Sequence, residues 1–259
     1  MKLYVFEVGR IKSNEMVAIV GGKDRPLLAP VECYLIEHDG EYVLYDTGYN
    51  KLAFEDAKAY MDPVIYENFR PILDYDKNYI VNLLGTVGLT PDDINYVVLS
   101  HMHYDHTGAV KVFKNAQVIV RKTEYDFAFS EDNPMRDKYY NVDYDGDGIN
   151  WKMIETMDEV YDLFGDGKIT LYGTPGHTPG HQIMVLNMEK SGRIVLTADC
   201  VYLSENIERM VPALICYNEE QYIESMKLLR KMYDEGAKMI ILHDPIMAES
   251  LKWAPEYYE

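Results

Sequence analysis

Four side chains that can bind a metal ion fall within six residues of this chain, at His101, His103, Asp105 and His106. They come directly after residues 95–100, an apolar run of strand length, which predicts that a buried strand ends at the cluster. Side chains two apart in an extended segment point to the same side, so His101 and His103 can bind one ion. A turn after His103 would direct Asp105 and His106 towards a second ion. Four such residues directly after a strand favour a metal site over a solvated polar loop.

Imidazole and carboxylate together are a ligand set that suits zinc, and also iron, manganese or cobalt. Three further residues can complete the set. His177 lies in the segment TPGHTPGH, whose glycines and prolines favour a turn and close backbone approach. Asp199 and His243 each follow an apolar segment that is predicted to be a strand. Each alone would be interpreted as a surface or capping residue, but functional groups collect where strands of an α/β scaffold give way to loops.

The rest of the chain alternates β-rich segments with turns and a few helices, which predicts one α/β domain over residues 1–259 with two β-sheets. The clearest helix spans residues 219–235, with Asn218 as its N-cap and Gly236 at its end. Its predicted buried stripe consists of Ile223, Met226, Leu229 and Met232 or Tyr233. Residues 123–166 are rich in Tyr, Asp, Asn and Met and show little periodicity, so we interpret them as an excursion from the fold or a lid.

The balance of charge excludes some classes of partner. The 259 residues carry a formal net charge of −18 with no basic cluster, which opposes nucleic-acid binding. No apolar run is long enough to cross a bilayer, and the first ten residues do not resemble a signal peptide. Three cysteines without a CxxC pair do not suggest a disulfide framework. We expect a cytoplasmic protein with a small-molecule substrate and no membrane partner, and both monomer and homodimer remain open.

The order HxHxDH, a distant PGHTPGH turn, then an aspartate, then a histidine resembles the metallo-β-lactamase superfamily. The segments Asp46-Thr47-Gly48 and GLTPDDINYVVLSH match its pattern too, so the resemblance covers nearly the whole chain. It implies an αββα sandwich, with two mixed β-sheets flanked by helices and the site at one edge between the sheets.

The resemblance also implies a role for each residue. Three histidines would bind the first metal: His101, His103 and His177. Three residues would bind the second: Asp105, His106 and His243. Asp199 would bridge the two divalent ions, for which zinc is the first expectation and iron, manganese and cobalt are alternatives. A water or hydroxide between the ions would be the nucleophile, and Asp105 would carry a proton to the leaving group.

Three features indicate which branch of the superfamily the chain resembles. The histidine at position 103 favours hydrolysis over the di-iron redox members, which usually carry an acidic residue there. Asp199 disfavours the true β-lactamases. Tyr202, three residues beyond Asp199, resembles the tyrosine that donates to the substrate carbonyl in the N-acyl homoserine lactone lactonases. We therefore predict lactone ring opening, with Asp105 and Tyr202 as catalytic residues. Tyr202 could instead be a packing residue, since the chain has 23 tyrosines.

Other functions stay open. The same site could serve a thioesterase, another lactonase or esterase, or a phosphodiesterase, and a metal-binding module without turnover is a further alternative. Candidate walls for an acyl groove are residues 16–20, Tyr104 and residues 127–129. His181 is expected near the ligands but not on a metal, and His38 has no assigned role. Residues 143–148 resemble the start of an EF-hand loop, but Ile154 stands where its final Glu is required, so an acidic turn is favoured.

Overall fold

The structure, a computed structural model, describes all 259 residues. Twelve β-strands form two sheets. The strands are β1 Lys2–Asn14, β2 Pro26–His38, β3 Glu41–Tyr45, β4 Arg70–Ile72, β5 Tyr96–Val98, β6 Gln117–Arg121, β7 Asn150–Ile154, β8 Tyr161–Asp162, β9 Ile169–Gly173, β10 Gln182–Met188, β11 Gly192–Leu196 and β12 Lys238–Ile240.

Both sheets are mixed. The seven-stranded sheet has the order β4-β1-β2-β3-β5-β6-β7, and the five-stranded sheet has the order β12-β11-β10-β9-β8. In the larger sheet, β4, β1, β2 and β3 pair antiparallel, whereas β3, β5, β6 and β7 pair parallel. In the smaller sheet only β11 and β12 are parallel. The parallel strands β3, β5 and β6 therefore end at one edge of the larger sheet, where loops can collect functional groups.

Eleven helices, most of them short, lie between the strands. They are α1 Glu15–Ala18, α2 Lys51–Tyr60, α3 Pro63–Asn68, α4 Tyr75–Asn78, α5 Ile80–Thr86, α6 Tyr104–Thr107, α7 Lys122–Phe129, α8 Asn141–Tyr144, α9 Ser204–Arg209, α10 Glu219–Asp234 and α11 Pro245–Ala248. Single 3-10 turns span Pro91–Asp93, Val110–Val112, Arg136–Lys138 and Ala198–Cys200. None of these helices combines the length and apolar character that crossing a bilayer requires.

Three buried clusters define the layers. The middle cluster joins the inner faces of the two sheets, for example Val5 and Ile36 on one side and Leu171 and Met184 on the other. An outer cluster packs helices on the larger sheet. The other outer cluster packs α10 and α9 on the smaller sheet. Helix, sheet, sheet and helix follow one another, so the αββα sandwich expected from the sequence is the observed architecture.

The predicted long helix is present as α10, and the Asn218 side chain accepts a hydrogen bond from the Gln221 backbone amide at 3.0 Å. Its buried stripe differs from the prediction at one position, where Tyr222 is buried and Ile223 is half-buried. Of the two alternatives at the end of the stripe, Met232 is buried and Tyr233 is exposed. The reason lies outside the helix, because Gly176 approaches the Tyr222 backbone so closely that a Cβ at Gly176 would lie 2.2 Å from the Tyr222 Cα. Close packing against the His177 turn rotates the helix.

The segment 123–166 is more integrated than an excursion from the fold. It contributes β7, which pairs in parallel with β6 at the edge of the larger sheet, and β8, at the edge of the smaller one. Glu124, Asp143 and Tyr144 are buried within the protein. A role of this segment as a lid stays a prediction.

Candidate metal centre

All seven predicted ligands converge on one buried site. Each comes from the end of a strand or the loop beyond it: the first four follow β5, His177 lies between β9 and β10, Asp199 follows β11 and His243 follows β12. Every one of the seven is at most 6% exposed. Ala198, immediately before Asp199, has a positive φ of 42°, a strained conformation for a residue other than glycine, and this turn carries the Asp199 carboxylate into the cluster.

The first group of ligand atoms consists of three imidazole nitrogens. His101 Nε2 lies 3.0 Å from His103 Nδ1, and His177 Nε2 lies 3.2 Å and 3.1 Å from these two atoms. The Oδ2 atom of Asp199 faces the same point, 3.3 Å from His177 Nε2. Lone pairs that converge so closely repel one another unless a cation lies between them.

The second group lies on the other side of Asp199. The Oδ1 atom of Asp199 is 3.3 Å from His106 Nε2 and 3.3 Å from His243 Nε2, while Asp105 Oδ1 lies 3.8 Å from His106 Nε2. His106 Nε2 and Asp199 Oδ1 are buried and have no hydrogen-bond partner. Because one oxygen of Asp199 faces each group, this carboxylate has the geometry of a bridge between two cations, and the donor set fits two divalent ions.

Contacts behind the imidazole rings fix their orientation. The Nδ1 atoms of His177 and His243 donate to the backbone carbonyls of Ile215 and Pro30 at 3.1 Å and 2.8 Å. Because a carbonyl only accepts, each Nδ1 carries a proton and each Nε2 is the atom that faces the cluster. His106 Nδ1 contacts Asp46 Oδ2 at 2.9 Å in the same way.

The protonation of the first ligand group suits ligation, whereas neighbouring carboxylates outweigh burial and raise the pKa of His106 and His243 above the ordinary value, so a second ion would have to displace their protons. Burial lowers the pKa of His101 and His103 well below the ordinary value, and lowers the pKa of His177 to about 4. These three rings are therefore neutral near pH 7, as a metal ligand must be. Burial opposes ionisation of Asp199, but His243 and His106 outweigh it and hold its pKa well below the ordinary value. The bridge is thus a carboxylate.

Tyr202 reaches the centre of the site. Its hydroxyl donates to Asp199 Oδ2 at 2.8 Å, and its ring stacks on His243 with centroids 4.9 Å apart. Burial raises the pKa of Tyr202 well above its ordinary value, so the hydroxyl keeps its proton. The structure thus brings Tyr202 to the ligand cluster, and its catalytic role stays a prediction.

A pocket opens above the cluster. Its polar wall includes His103, Asp105, Asp199, Tyr202 and His243. The remaining lining residues are Ile11, Ile65, Phe69, Tyr104, Lys138 and Ile215. A second, mostly apolar pocket adjoins it through shared residues and reaches Val17 and Ala18. Of the walls expected from the sequence, Tyr104 and part of residues 16–20 line these pockets, whereas residues 127–129 do not.

Among the buried carboxylates that sequence reasoning left without a role, Asp46 and Glu124 contact a ligand or the residues beside the ligands. Asp46 accepts the Ser100 backbone amide and hydroxyl at 2.7 Å and 2.8 Å in addition to its contact with His106. The sequence feature that points to Asp46 is the motif Asp46-Thr47-Gly48, which matches the superfamily pattern. Glu124 contacts the loops that carry the first ligand group, and it belongs to no recognisable motif.

The remaining histidines and the acidic turn lie outside the ligand groups. His181 Nδ1 is 2.8 Å from the Thr174 hydroxyl, and His38 Nε2 is 2.7 Å from Asp166 Oδ2. Asp143 is buried and accepts hydrogen bonds from Asn50 and Tyr60, both at 2.7 Å. The carboxylates of Asp143, Asp145 and Asp147 do not converge on a common point, as the ligands of an EF-hand loop would.

Comparison with known proteins agrees with this geometry. The model of the metallo-beta-lactamase superfamily matches residues 28–243. This chain therefore belongs to the metallo-beta-lactamase superfamily.

Within that superfamily, its full-length relatives include N-acyl homoserine lactonases. The lactonase AttM of Rhizobium radiobacter is 31% identical over 261 residues, which cover 100% of this chain and 98% of the relative. The lactonase AiiA of Bacillus thuringiensis subsp. kurstaki is 34% identical over 260 residues, 99% of this chain and 98% of the relative. A solved N-acyl homoserine lactone hydrolase, with N-hexanoyl-L-homoserine bound at its catalytic metal centre, superimposes with a TM-score of 0.88 at 31% identity, covering 99% and 98% of the two chains.

Proposed function

We propose that this protein is a two-metal hydrolase that opens the lactone ring of N-acyl homoserine lactones. The observation that carries the proposal is the pair of ligand groups joined by Asp199, with the Tyr202 hydroxyl on the same carboxylate and a half-apolar pocket above them. The full-length similarity to lactonases supports the choice of substrate.

The proposed first site is formed by His101, His103 and His177, and the proposed second site by Asp105, His106 and His243. Asp199 serves both. Zinc is the metal that this mixture of imidazole and carboxylate ligands suits best, with iron, manganese and cobalt as alternatives. Two bound cations would lower the pKa of a water held between them towards about 7 and polarise the lactone carbonyl.

The chain's own residues supply the remaining chemistry. Tyr202 turns its hydroxyl from Asp199 to the carbonyl oxygen of the substrate and stabilises the negative charge that develops there. Asp105 takes the proton that the attacking water loses and passes it to the ring oxygen as the C–O bond breaks. The products are a free carboxylic acid and a hydroxyl group.

The pocket accounts for an N-acyl substrate. Ile11, Ile65 and Phe69 form an apolar wall beside the cluster, and the adjoining pocket extends this wall towards Val17 and Ala18. An acyl chain that leaves the lactone ring along this surface is removed from water, which stabilises the complex by about 0.8 kcal/mol for each buried methylene. Longer chains are therefore expected to bind more tightly until the wall ends.

A substrate panel tests the proposal. The zinc-loaded protein is given butanoyl and decanoyl homoserine lactones, a plain aliphatic lactone, a thioester and bis-p-nitrophenyl phosphate, and acid release is followed with and without a chelator. We expect chelator-sensitive hydrolysis of both homoserine lactones at a higher kcat/KM than of the other three. Faster turnover of the thioester or the phosphodiester would keep the two-metal site and overturn the lactone assignment.

A further inference from the structure

Glu124 is a fully buried carboxylate in the first turn of α7. It accepts four hydrogen bonds. Its Oε1 atom accepts from the Met102 backbone amide at 2.9 Å and from the Tyr139 hydroxyl at 2.8 Å. Its Oε2 atom accepts from the Thr178 hydroxyl at 2.7 Å and from the Gly180 backbone amide at 3.1 Å. One side chain therefore connects three segments that are distant in sequence.

These three segments all lead to the first ligand group. Met102 stands between His101 and His103, and Thr178 follows His177. The Tyr139 ring packs edge-on against the His103 ring, with centroids 4.8 Å apart. Glu124 is therefore connected to all three imidazoles of this group. It binds the backbone between His101 and His103, the side chain next to His177, and the tyrosine whose ring packs on His103.

The second ligand group has anchors other than Glu124, one of which, Asp46, also reaches His101 of the first group through the Ser100 hydroxyl. Asp46 contacts His106, and the Pro30 carbonyl accepts from His243. None of the four donors to Glu124 belongs to a residue adjacent to either of these two histidines. A change at Glu124 should therefore affect the two metal positions unequally.

The contacts require a carboxylate at this position. Each oxygen of Glu124 accepts one backbone amide, from Met102 or from Gly180, and a backbone amide cannot reverse its role. A glutamine in the same place would turn its NH2 group towards one of these amides and leave it buried without an acceptor. The packing leaves little room for adjustment, because a Cβ at Gly180 would lie 2.2 Å from the Glu124 backbone nitrogen.

We infer that Glu124 is a positioning residue, which fixes the geometry of the first ligand group and thereby the affinity of the first metal ion. The inference rests on the proposed metal centre and is independent of the proposed lactone substrate. Loss of an outer contact to metal ligands typically weakens metal binding by about 10–100-fold.

Zinc affinity measured without substrate tests this role. The two zinc dissociation constants of Glu124→Gln are measured by competition with a chromophoric chelator, and the same variant is made in His177→Ala and His243→Ala backgrounds. With His243→Ala, the remaining ion lies in the first group, and Glu124→Gln should raise its dissociation constant by about 10–100-fold. With His177→Ala, the remaining ion lies in the second group and its dissociation constant should change less than about threefold, because Glu124 shares no hydrogen-bond partner with His106 or His243.

Two further variants separate positioning from a general loss of stability. Asp143→Asn alters another buried carboxylate, whose hydrogen bonds come from the Asn50 and Tyr60 side chains and not from a ligand or its neighbour, and should leave both zinc affinities as in the wild type. Thr178→Val removes a single donor to Glu124 and gives a milder form of the same test if Glu124→Gln does not fold. This variant should weaken the binding of the first ion and leave that of the second unchanged.

The positioning role would be overturned if Glu124→Gln and Thr178→Val weakened the binding of both ions equally, or if they left the binding of both ions unchanged. A wild-type protein that binds fewer than two zinc ions would instead contradict the proposed metal centre itself, so the two failures can be told apart.

Discussion

The ligand cluster and the apolar wall beside it are built in different ways. In the cluster every ligand is buried, and the imidazole rings of His106, His177 and His243 are each fixed by a second contact behind the ring. The wall combines Ile11 of strand β1 with residues of the short helices α1 and α3 and with Phe69 at the end of α3. Met16 and Val64, which neighbour wall residues in sequence, are 48% and 64% exposed. The cluster has one arrangement that its hydrogen bonds determine, whereas van der Waals contacts alone shape the wall.

This difference separates chemistry from substrate choice. Hydrogen-bonded ligands tolerate little change, because each loss leaves a buried polar group without a partner. Apolar contacts tolerate substitution and change binding by small steps. Variants in the cluster should therefore affect turnover of every lactone, and variants in the wall should affect only those with long acyl chains.

The largest effect is expected for Asp199→Asn. The amide keeps one oxygen but turns NH2 towards one of the two ligand groups, so the bridge is lost. Activity on every lactone should fall by more than about 10³-fold, the upper end of the range that loss of a single oxyanion donor costs. Steady-state kinetics and metal analysis by mass spectrometry check this, and a variant that holds two ions with wild-type turnover would show that Asp199 is not the bridge.

Tyr202→Phe should have the next largest effect. The ring still stacks on His243, but the hydroxyl that would stabilise the charge on the carbonyl oxygen is absent. We expect kcat to fall by about 10²-fold on short and long lactones alike, with KM nearly unchanged. Unchanged kcat with both substrates would remove Tyr202 from the mechanism.

Phe69→Ala tests the wall and should act selectively. Phe69 lines both pockets, so its truncation removes apolar contact from the acyl chain. We expect kcat/KM for decanoyl homoserine lactone to fall by about tenfold, equivalent to about 1.4 kcal/mol, and that for the butanoyl substrate to change little. Val64→Ala is the matched control, since Val64 is exposed and lines neither pocket. Equal losses on both substrates would place Phe69 with the cluster instead.

Asp143 lies outside both regions, so Asp143→Asn should alter only the stability of the fold. Burial raises the pKa of Asp143 to about 7, above its ordinary value of 3.8. Because the folded state holds this proton more tightly than the unfolded state, stability falls as the pH rises from about 4 to about 7. The asparagine cannot ionise, and the Tyr60 hydroxyl can accept from its NH2 group. The variant should melt at least about 3 °C above the wild type at pH 8 and show a smaller advantage at pH 5. An equal shift at both pH values would contradict the raised pKa.

The same division explains what the sequence could predict. The convergence of the seven proposed ligands was predictable because short motifs place them at strand ends, where each follows an apolar segment or lies in a Gly-Pro turn that the sequence makes visible. Phe69, Ile65 and Glu124 were not predictable, since they meet the site only through tertiary packing. Strand β7 was missed because it alternates exposed and half-buried residues at the sheet edge and so lacks an apolar run. The rotation of α10 towards Tyr222 depends on Gly176, a residue 46 positions away.

The most direct test of the two-metal lactonase is a metal titration of the stripped protein. Protein freed of metal by a chelator is reloaded with zinc in steps, and hexanoyl homoserine lactone hydrolysis is measured at each step. The proposal predicts no turnover without metal and maximal turnover at two zinc ions per chain. Hydrolysis that is independent of added metal, or its absence in protein that holds two zinc ions, would contradict it.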